Sequence, residues 1–151
     1  MGFAAIPWFG DAWAARLVII IAITWRWTGY NMIFYIAGMQ NIDSEIYEAA
    51  SIDGASNTRQ FFSITMPLLK PIILLTSIVS TNGTFQLFDE SRNITGGNPG
   101  DATISLTHLI YRTSFEQVPS FGYAATLSFS ILFMVASLSM IQIWFGGKRN
   151  V

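Results

Sequence analysis

The groups in this 151-residue chain that could make or break bonds are few. Asp89, Glu90 and the single histidine, His108, are the acid/base candidates of one segment. Such chemistry needs a positioned nucleophile or substrate proton beside it, and no G-x-S-x-G stretch accompanies them. A lone histidine, with no cysteine in the chain and no nearby carboxylate cluster, makes a poor metal site. His108 therefore reads as a structural or mouth-lining residue. The run TGGNPG at residues 95–100 has the glycines of a phosphate loop but lacks the lysine of G-x-x-x-x-G-K-[ST], and it reads as a turn. What remains is hydrogen-bonding chemistry set in apolar sequence. STNGTFQLFD at residues 80–89 supplies hydroxyls and amides, and Gly29, Tyr30 and Asn31 supply a ring and another amide. On a helix Ser80, Thr84 and Leu87 share one face, while Asn82, Gln86 and Asp89 share another. Either face could offer these groups to a neighbouring surface. The plainer alternative is hydrogen bonding between helices, worth about 0.6 kcal/mol per bond in membranes.

The elements that carry these groups are set by composition. The chain is 52% hydrophobic and 11% charged, whereas soluble domains carry roughly 25% charged residues. Lipid is the expected solvent. A net charge of -1 gives no reason to expect nucleic acid. A helix needs about 20 mostly apolar residues to cross the hydrocarbon, and three windows qualify: 17–39, 68–88 and 123–145. No secretory signal is expected, because residues 1–15 lack a basic n-region. Arg26 lies inside the first window, where an arginine costs about 2.5 to more than 10 kcal/mol unless it meets protein or water. It either faces a cavity or partner helix, or it snorkels to an interface beside Trp25 and Trp27. Lys148 and Arg149 directly follow the third window. The positive-inside rule then places the C-terminus and residues 40–67 in the cytoplasm, and residues 1–16 and 89–121 outside.

The polar loop 40–67 reads as two short helices joined at a glycine. Asp43 or Ser44 can cap the first, with Glu45 and Glu48 near its positive end. Gly54 suits the left-handed position just past its C-terminus. Asn57 is expected to cap the second helix, with Gln60 reaching back, and Pro67 and Pro71 are expected to end it and open the next span. The first helix shows a small surface of Ala49, Ala50 and Gly54, which would let another backbone approach. The alternative is a solvated connector.

The pattern Glu48-Ala49-Ala50, three residues, Gly54, nine residues, Ile64, one residue, Met66-Pro67 resembles the EAA signature of ATP-binding-cassette importer permeases, with Met66 where that signature has leucine. The flanking YEAASIDGAS and ITMPLLKP are similar to the sugar-permease branch, the maltose, lactose and glycerol-phosphate type of subunit. TWRWTGYNMIFYIAGMQNI, FQLFDESRNITGGNPG and FGYAATLSFSILF agree, so the resemblance covers nearly the whole chain.

The resemblance implies an all-α integral membrane fold of about three transmembrane helices, like the C-terminal half of the six-helix type I permease core. Residues 1–151 would then be a partial permease domain, and the chain a fragment or one completed by another polypeptide. The implied function is that of a permease subunit in an ATP-driven, binding-protein-dependent importer for a sugar or related polyol. Glu48, Ala49, Ala50, Gly54, Ile64 and Pro67 would couple it to a cytoplasmic ATPase, Glu48 as the loop glutamate and Gly54 as the turn glycine. The implied partners are an ATP-binding-cassette ATPase dimer, a second permease subunit, an extracytoplasmic solute-binding protein and the lipid of a bacterial or archaeal plasma membrane. This chain would bind no cofactor, and ATP would be used by the partner. A sugar path needs hydroxyl and amide partners plus aromatic faces. Relatives contact substrate with the second span, which singles out Ser80, Gly83 and Thr84, then Asn82 and Gln86. Gly29, Tyr30 and Asn31 are the candidates of the first span. Two other classes compete: a membrane-embedded enzyme, and a truncated remnant or assembly protein that does not transport.

Overall fold

A computed structural model describes residues 8–147 as helices and turns, with no strand among them. Helix α1 is Ala12–Gln40. Its start is set by Asp11, whose extended backbone lets the carboxylate accept the Ala14 N–H at 2.9 Å. The 29 residues of α1 extend about 43 Å, more than the hydrocarbon thickness. Helix α2, Ser44–Ile52, begins at the Asp43 cap. Helix α3 is continuous over Asn57–Phe85. Helix α4 is short, Leu106–Tyr111, and runs on into one wide turn, Arg112–Glu116. Helix α5 is Phe121–Gly147. Three of these, α1, α3 and α5, are long and apolar enough to cross a membrane. Lys148 and Arg149, which carried the expected orientation, lie outside the described residues.

The prolines do not behave as expected. Pro67 and Pro71 lie inside α3 rather than ending a separate helix. Proline cannot donate to the carbonyl four residues back, and its ring clashes with that carbonyl. For Pro67 the affected carbonyl belongs to Ser63, and Ser63 sits within a wide π turn, Phe61–Thr65. The Met66 N–H bonds to Phe61 O across that turn. Widening moves the clashing carbonyl aside, so the helix passes through the proline. Asn57 is not the cap either. Ser56 is extended and its Oγ accepts the Arg59 N–H.

The helices meet through small residues and polar pairs rather than through a large apolar core. The buried apolar side chains among the described residues are Ala14, Ala15, Ile19, Leu69, Ala124 and Ile131. Most large apolar side chains point outward, as a chain solvated by lipid or by further helices requires. At Gly38 a Cβ would lie 2.3 Å from Ile72 Cδ1, so glycine there gives the Ile72 and Leu69 side chains of α3 room against α1. Gly146 does the same for α5 against Leu74, at 2.5 Å. Polar pairs set the register. Asn31 Nδ2 donates to Ser80 Oγ at 3.0 Å, and the Ser80 hydroxyl approaches Asn31 Oδ1 at 3.1 Å. Tyr35 and Thr76 share a bond one turn further on. On the other side of α3, Ser139 donates to Asn82 Oδ1 and Gln142 donates to Thr81 Oγ1. Helix α3 is thus the central member, tied to α1 on one face and α5 on another.

Candidate functional site

The α2 segment is built as a presented surface. Its last turn closes as a Schellman motif: the Ala55 N–H bonds to Ala50 O at 2.9 Å and the Gly54 N–H to Ser51 O at 3.0 Å. That geometry puts Gly54 at φ +75°, a conformation that side chains with a Cβ resist. The inner side of α2 is clamped to the base of α3. Tyr47 Oη bonds to Thr65 Oγ1 at 2.7 Å, and the buried Gln60 donates Nε2 to Ser51 Oγ at 3.0 Å and to Ala55 O at 3.1 Å. Gln60 therefore braces the turn instead of reaching back to cap its own helix. With Tyr47 turned inward, Glu45, Glu48, Ala49 and Ile52 form the outward row. The Glu48 carboxylate is exposed and has no hydrogen bond or ion pair among the described residues. Ile52 is 87% exposed. Ala50 is half-buried on the inner side, Ile64 sits half-buried in the wide turn, and Pro67 is exposed just beyond it.

The solute-path candidates separate into groups. Ser80 and Asn31 are joined to each other, and Asn82 faces α5 through Ser139. Ser80 and Thr84 border a cleft of about 380 Å³ with Thr24 and Trp27. Tyr30, Gly83 and Gln86 border a neighbouring cleft of about 420 Å³ with Arg26, Trp27 and Asp89. Gly29 lies on the open side of α1, where a Cβ would meet nothing within 4 Å. Helix α3 stops at Phe85, and Gln86 caps it. Leu87 and Asp89 therefore leave the helix, and the two faces expected to run through them end a turn earlier.

Between α3 and α5, residues 86–120 form a cap around a polar knot. Ser91 is fully buried. Its hydroxyl donates to Thr103 O at 2.8 Å and accepts the Ser105 N–H at 3.2 Å. One hydroxyl has one proton, so the 2.8 Å contact to His108 Nδ1 is completed by the ring's own Nδ1–H. His108 is buried against the edge of Phe88. Burial, and then the nearby Arg92 guanidinium, hold its pKa below the ordinary histidine value. The pair offers no accessible nucleophile, because Ser91 has no exposed surface. Thr95 and Thr103 bond to each other at 2.7 Å beside it. Arg112 grips Asp101 through both oxygens, Arg92 pairs with Glu116, and Arg16 donates to Ala102 O.

Arg26 takes neither of its simple alternatives alone. It is 42% exposed at the side chain and forms a 2.8 Å ion pair with Glu90, which is buried. Sequence spacing could not pair residues 26 and 90. Nor could it pair Tyr47 with Thr65 or Ser91 with His108, since each contact joins different elements. The available signal was a charge or hydroxyl without a local partner.

The family model described as binding-protein-dependent transport system inner membrane component matches residues 1–146. The lactose transport system permease protein of Rhizobium radiobacter is 53% identical over 147 residues, covering 96% of this chain and 49% of that protein. The trehalose/maltose transport system permease protein of Thermococcus litoralis is 34% identical, covering 99% of this chain and 50% of that protein. An arabinooligosaccharides transport system permease protein of Bacillus subtilis is 31% identical, with 98% and 47% covered. The chain spans about half the length of these curated relatives. With its all-helical architecture and three membrane-length helices, the chain belongs to the binding-protein-dependent transport system inner membrane component family.

Proposed function

We propose that this chain forms part of the permease subunit of an ATP-driven importer for a sugar or related polyol. In this reading α2 docks on a cytoplasmic ATPase subunit, and closure of the ATPase pair moves α2 and, through its clamps, α3. The observation that carries it is the outward row of α2. A free carboxylate at Glu48, a small residue at Ala49 and a bare Ile52 stand together on a helix braced from behind by Tyr47–Thr65 and Ser51–Gln60. A mere connector needs no such bracing. The α2 end is cytoplasmic, the Ser91–His108 cap is outside, and the membrane is the plasma membrane. An ATPase dimer, a second permease subunit and a solute-binding protein complete the machine. ATP is consumed by the partner. The relatives named for lactose, trehalose/maltose and arabinooligosaccharides support a sugar or related polyol as cargo.

Gly54 supplies the test. Nothing lies within 4 Å of a Cβ placed there, so substitution acts through the backbone alone. Leucine at φ +75° costs about 1–2 kcal/mol, while asparagine tolerates that region. In a complete, membrane-inserted complex Gly54→Leu is expected to lower sugar transported per ATP hydrolysed several-fold, with Gly54→Asn retaining most of it. Equal, normal coupling in both variants would sink the assignment.

A further inference from the structure

An open groove of about 440 Å³ runs between the first half of α3 and the last turns of α5. Ile73, Leu74 and Ser77 line it from α3, Ile141 and Phe145 from α5, and Lys70 stands at one end. Gly146 lies close on Leu74 and closes the floor. Lys70 precedes Leu74 by one turn, which places it beside the end of α5 farthest from the cap. The rest of the groove offers hydrocarbon and no free polar group. The Ser77 hydroxyl donates to Ile73 O at 2.6 Å, Gln142 donates to Thr81, and Gln142 Oε1 is buried. Lys70 is the exception. The ion pairs among the described residues are Arg26–Glu90, Arg92–Glu116 and Arg112–Asp101, so the exposed Lys70 is an unpaired cation in a membrane-length helix. Such an ammonium is costly unless it reaches the interface or meets an anion. An apolar helix laid into the groove would cover Lys70 without supplying that anion. An anionic lipid supplies both parts, an acyl chain for the walls and a phosphate for the ammonium. Basic pockets between membrane helices on the cytoplasmic side are suited to such headgroups.

We propose that this groove is a binding site for an anionic phospholipid of the cytoplasmic leaflet. The lipid phosphate meets Lys70, and one acyl chain lies along Ile73, Leu74, Ile141 and Phe145. From Lys70 to Ser77 the wall extends about 10 Å along α3, enough to seat the upper part of a chain while the rest stays in the bilayer. The inference goes beyond the transport reading and takes from it only the cytoplasmic placement of α2.

The experiment uses the complete importer, extracted in mild detergent and incubated with equal amounts of phosphatidylglycerol and phosphatidylcholine. Native mass spectrometry counts the lipid retained per complex. The wild type should retain phosphatidylglycerol over phosphatidylcholine, and Lys70→Gln should cut that retention about fivefold, the worth of one basic side chain at an anionic surface. Lys70 is exposed and unpaired, so its replacement leaves folding unharmed. Ser77→Trp fills the groove with Lys70 in place and should release the lipid as well. Inorganic phosphate should not displace it. Equal retention in wild type and Lys70→Gln overturns the site. So does unchanged retention in Ser77→Trp, or displacement by inorganic phosphate, which would make Lys70 a free-anion site. A nitroxide attached through Ser77→Cys, in a complex otherwise free of cysteine, separates lipid from protein cover. In proteoliposomes oxygen dissolved in the hydrocarbon should relax it, and shielding from oxygen would mean that another helix fills the groove, which overturns the proposal. Sugar uptake by the same proteoliposomes keeps the two readings apart. Loss of the lipid site with ATP-driven uptake intact leaves the importer reading standing. Selective phosphatidylglycerol retention without uptake of lactose, maltose or arabinooligosaccharides overturns the importer reading and leaves the lipid site.

Discussion

The two ends of the molecule spend their polar groups in opposite ways. In the cap, Ser91, Thr95, Thr103 and His108 are buried and satisfied by one another. On α2 the hydrogen bonds are confined to the inner side, and the outer row of Glu45, Glu48, Ala49 and Ile52 is left to its surroundings. Polar residues that turn inward hold a shape. Those held outward by bracing behind them form a surface. The same contrast explains why the lone histidine, the most eye-catching residue for chemistry, is architectural, while a plain alanine and glutamate are the candidates for work.

The contrast predicts opposite responses to substitution. The largest stability loss should come from Ser91→Ala. It leaves the Thr103 carbonyl, the Ser105 N–H and the His108 Nδ1–H without their partner. Each orphan costs about 1–3 kcal/mol, so a loss of several kcal/mol in cap stability is expected, measured by protease susceptibility and thermal unfolding of the purified protein. If Ser91→Ala unfolds like the wild type, the cap is not held by this knot.

Acid should act in the same place, with a smaller effect. His108 is buried neutral, and its folded pKa lies below the unfolded value of about 6.5. Its contribution is therefore fully present above about pH 6.5 and is lost as the pH falls toward the lowered folded value, because the unfolded chain takes up the proton first. Arg92 and Arg112 oppose the imidazolium, while Glu116 and Asp101 favour it. His108→Gln keeps a donor for Ser91 and has no proton to gain, so it should remove this acid dependence. An identical pH slope in wild type and variant would place the titration elsewhere.

How much of this was legible beforehand differed along the chain. The helix start at Asp43, one of the two caps offered, the apolar segments and the turn at Gly54 follow from local rules, whereas the start at Asp11 lies upstream of the window read from residue 17. The run through Pro67 was not legible, because the wide turn that admits it depends on backbone geometry one turn upstream. The faces of the second membrane helix were read one turn too far, since no glycine marks the stop at Phe85. Pairings such as Arg26–Glu90 and Ser91–His108 join residues far apart in sequence, and only the packing of three helices brings them together. On the substrate path, Ser80 and Asn31 satisfy each other and Asn82 is occupied by Ser139, whereas Tyr30, Gly83 and Gln86 share one cleft.

The smallest stability effect is expected on α2, and it carries the central claim. Ala49 is exposed, and exposed substitutions away from caps and buried bonds shift stability within about 0.5 kcal/mol. Ala49→Trp should therefore leave membrane insertion and thermal unfolding unchanged, yet block close approach of a partner to α2. The decisive measurement is the amount of ATPase subunit that copurifies with the complete, detergent-extracted transporter carrying Ala49→Trp, beside the wild type and Ser91→Ala. The proposed docking predicts loss of ATPase from Ala49→Trp with its fold intact, and retention in Ser91→Ala. Full retention of ATPase by a folded Ala49→Trp protein would contradict it.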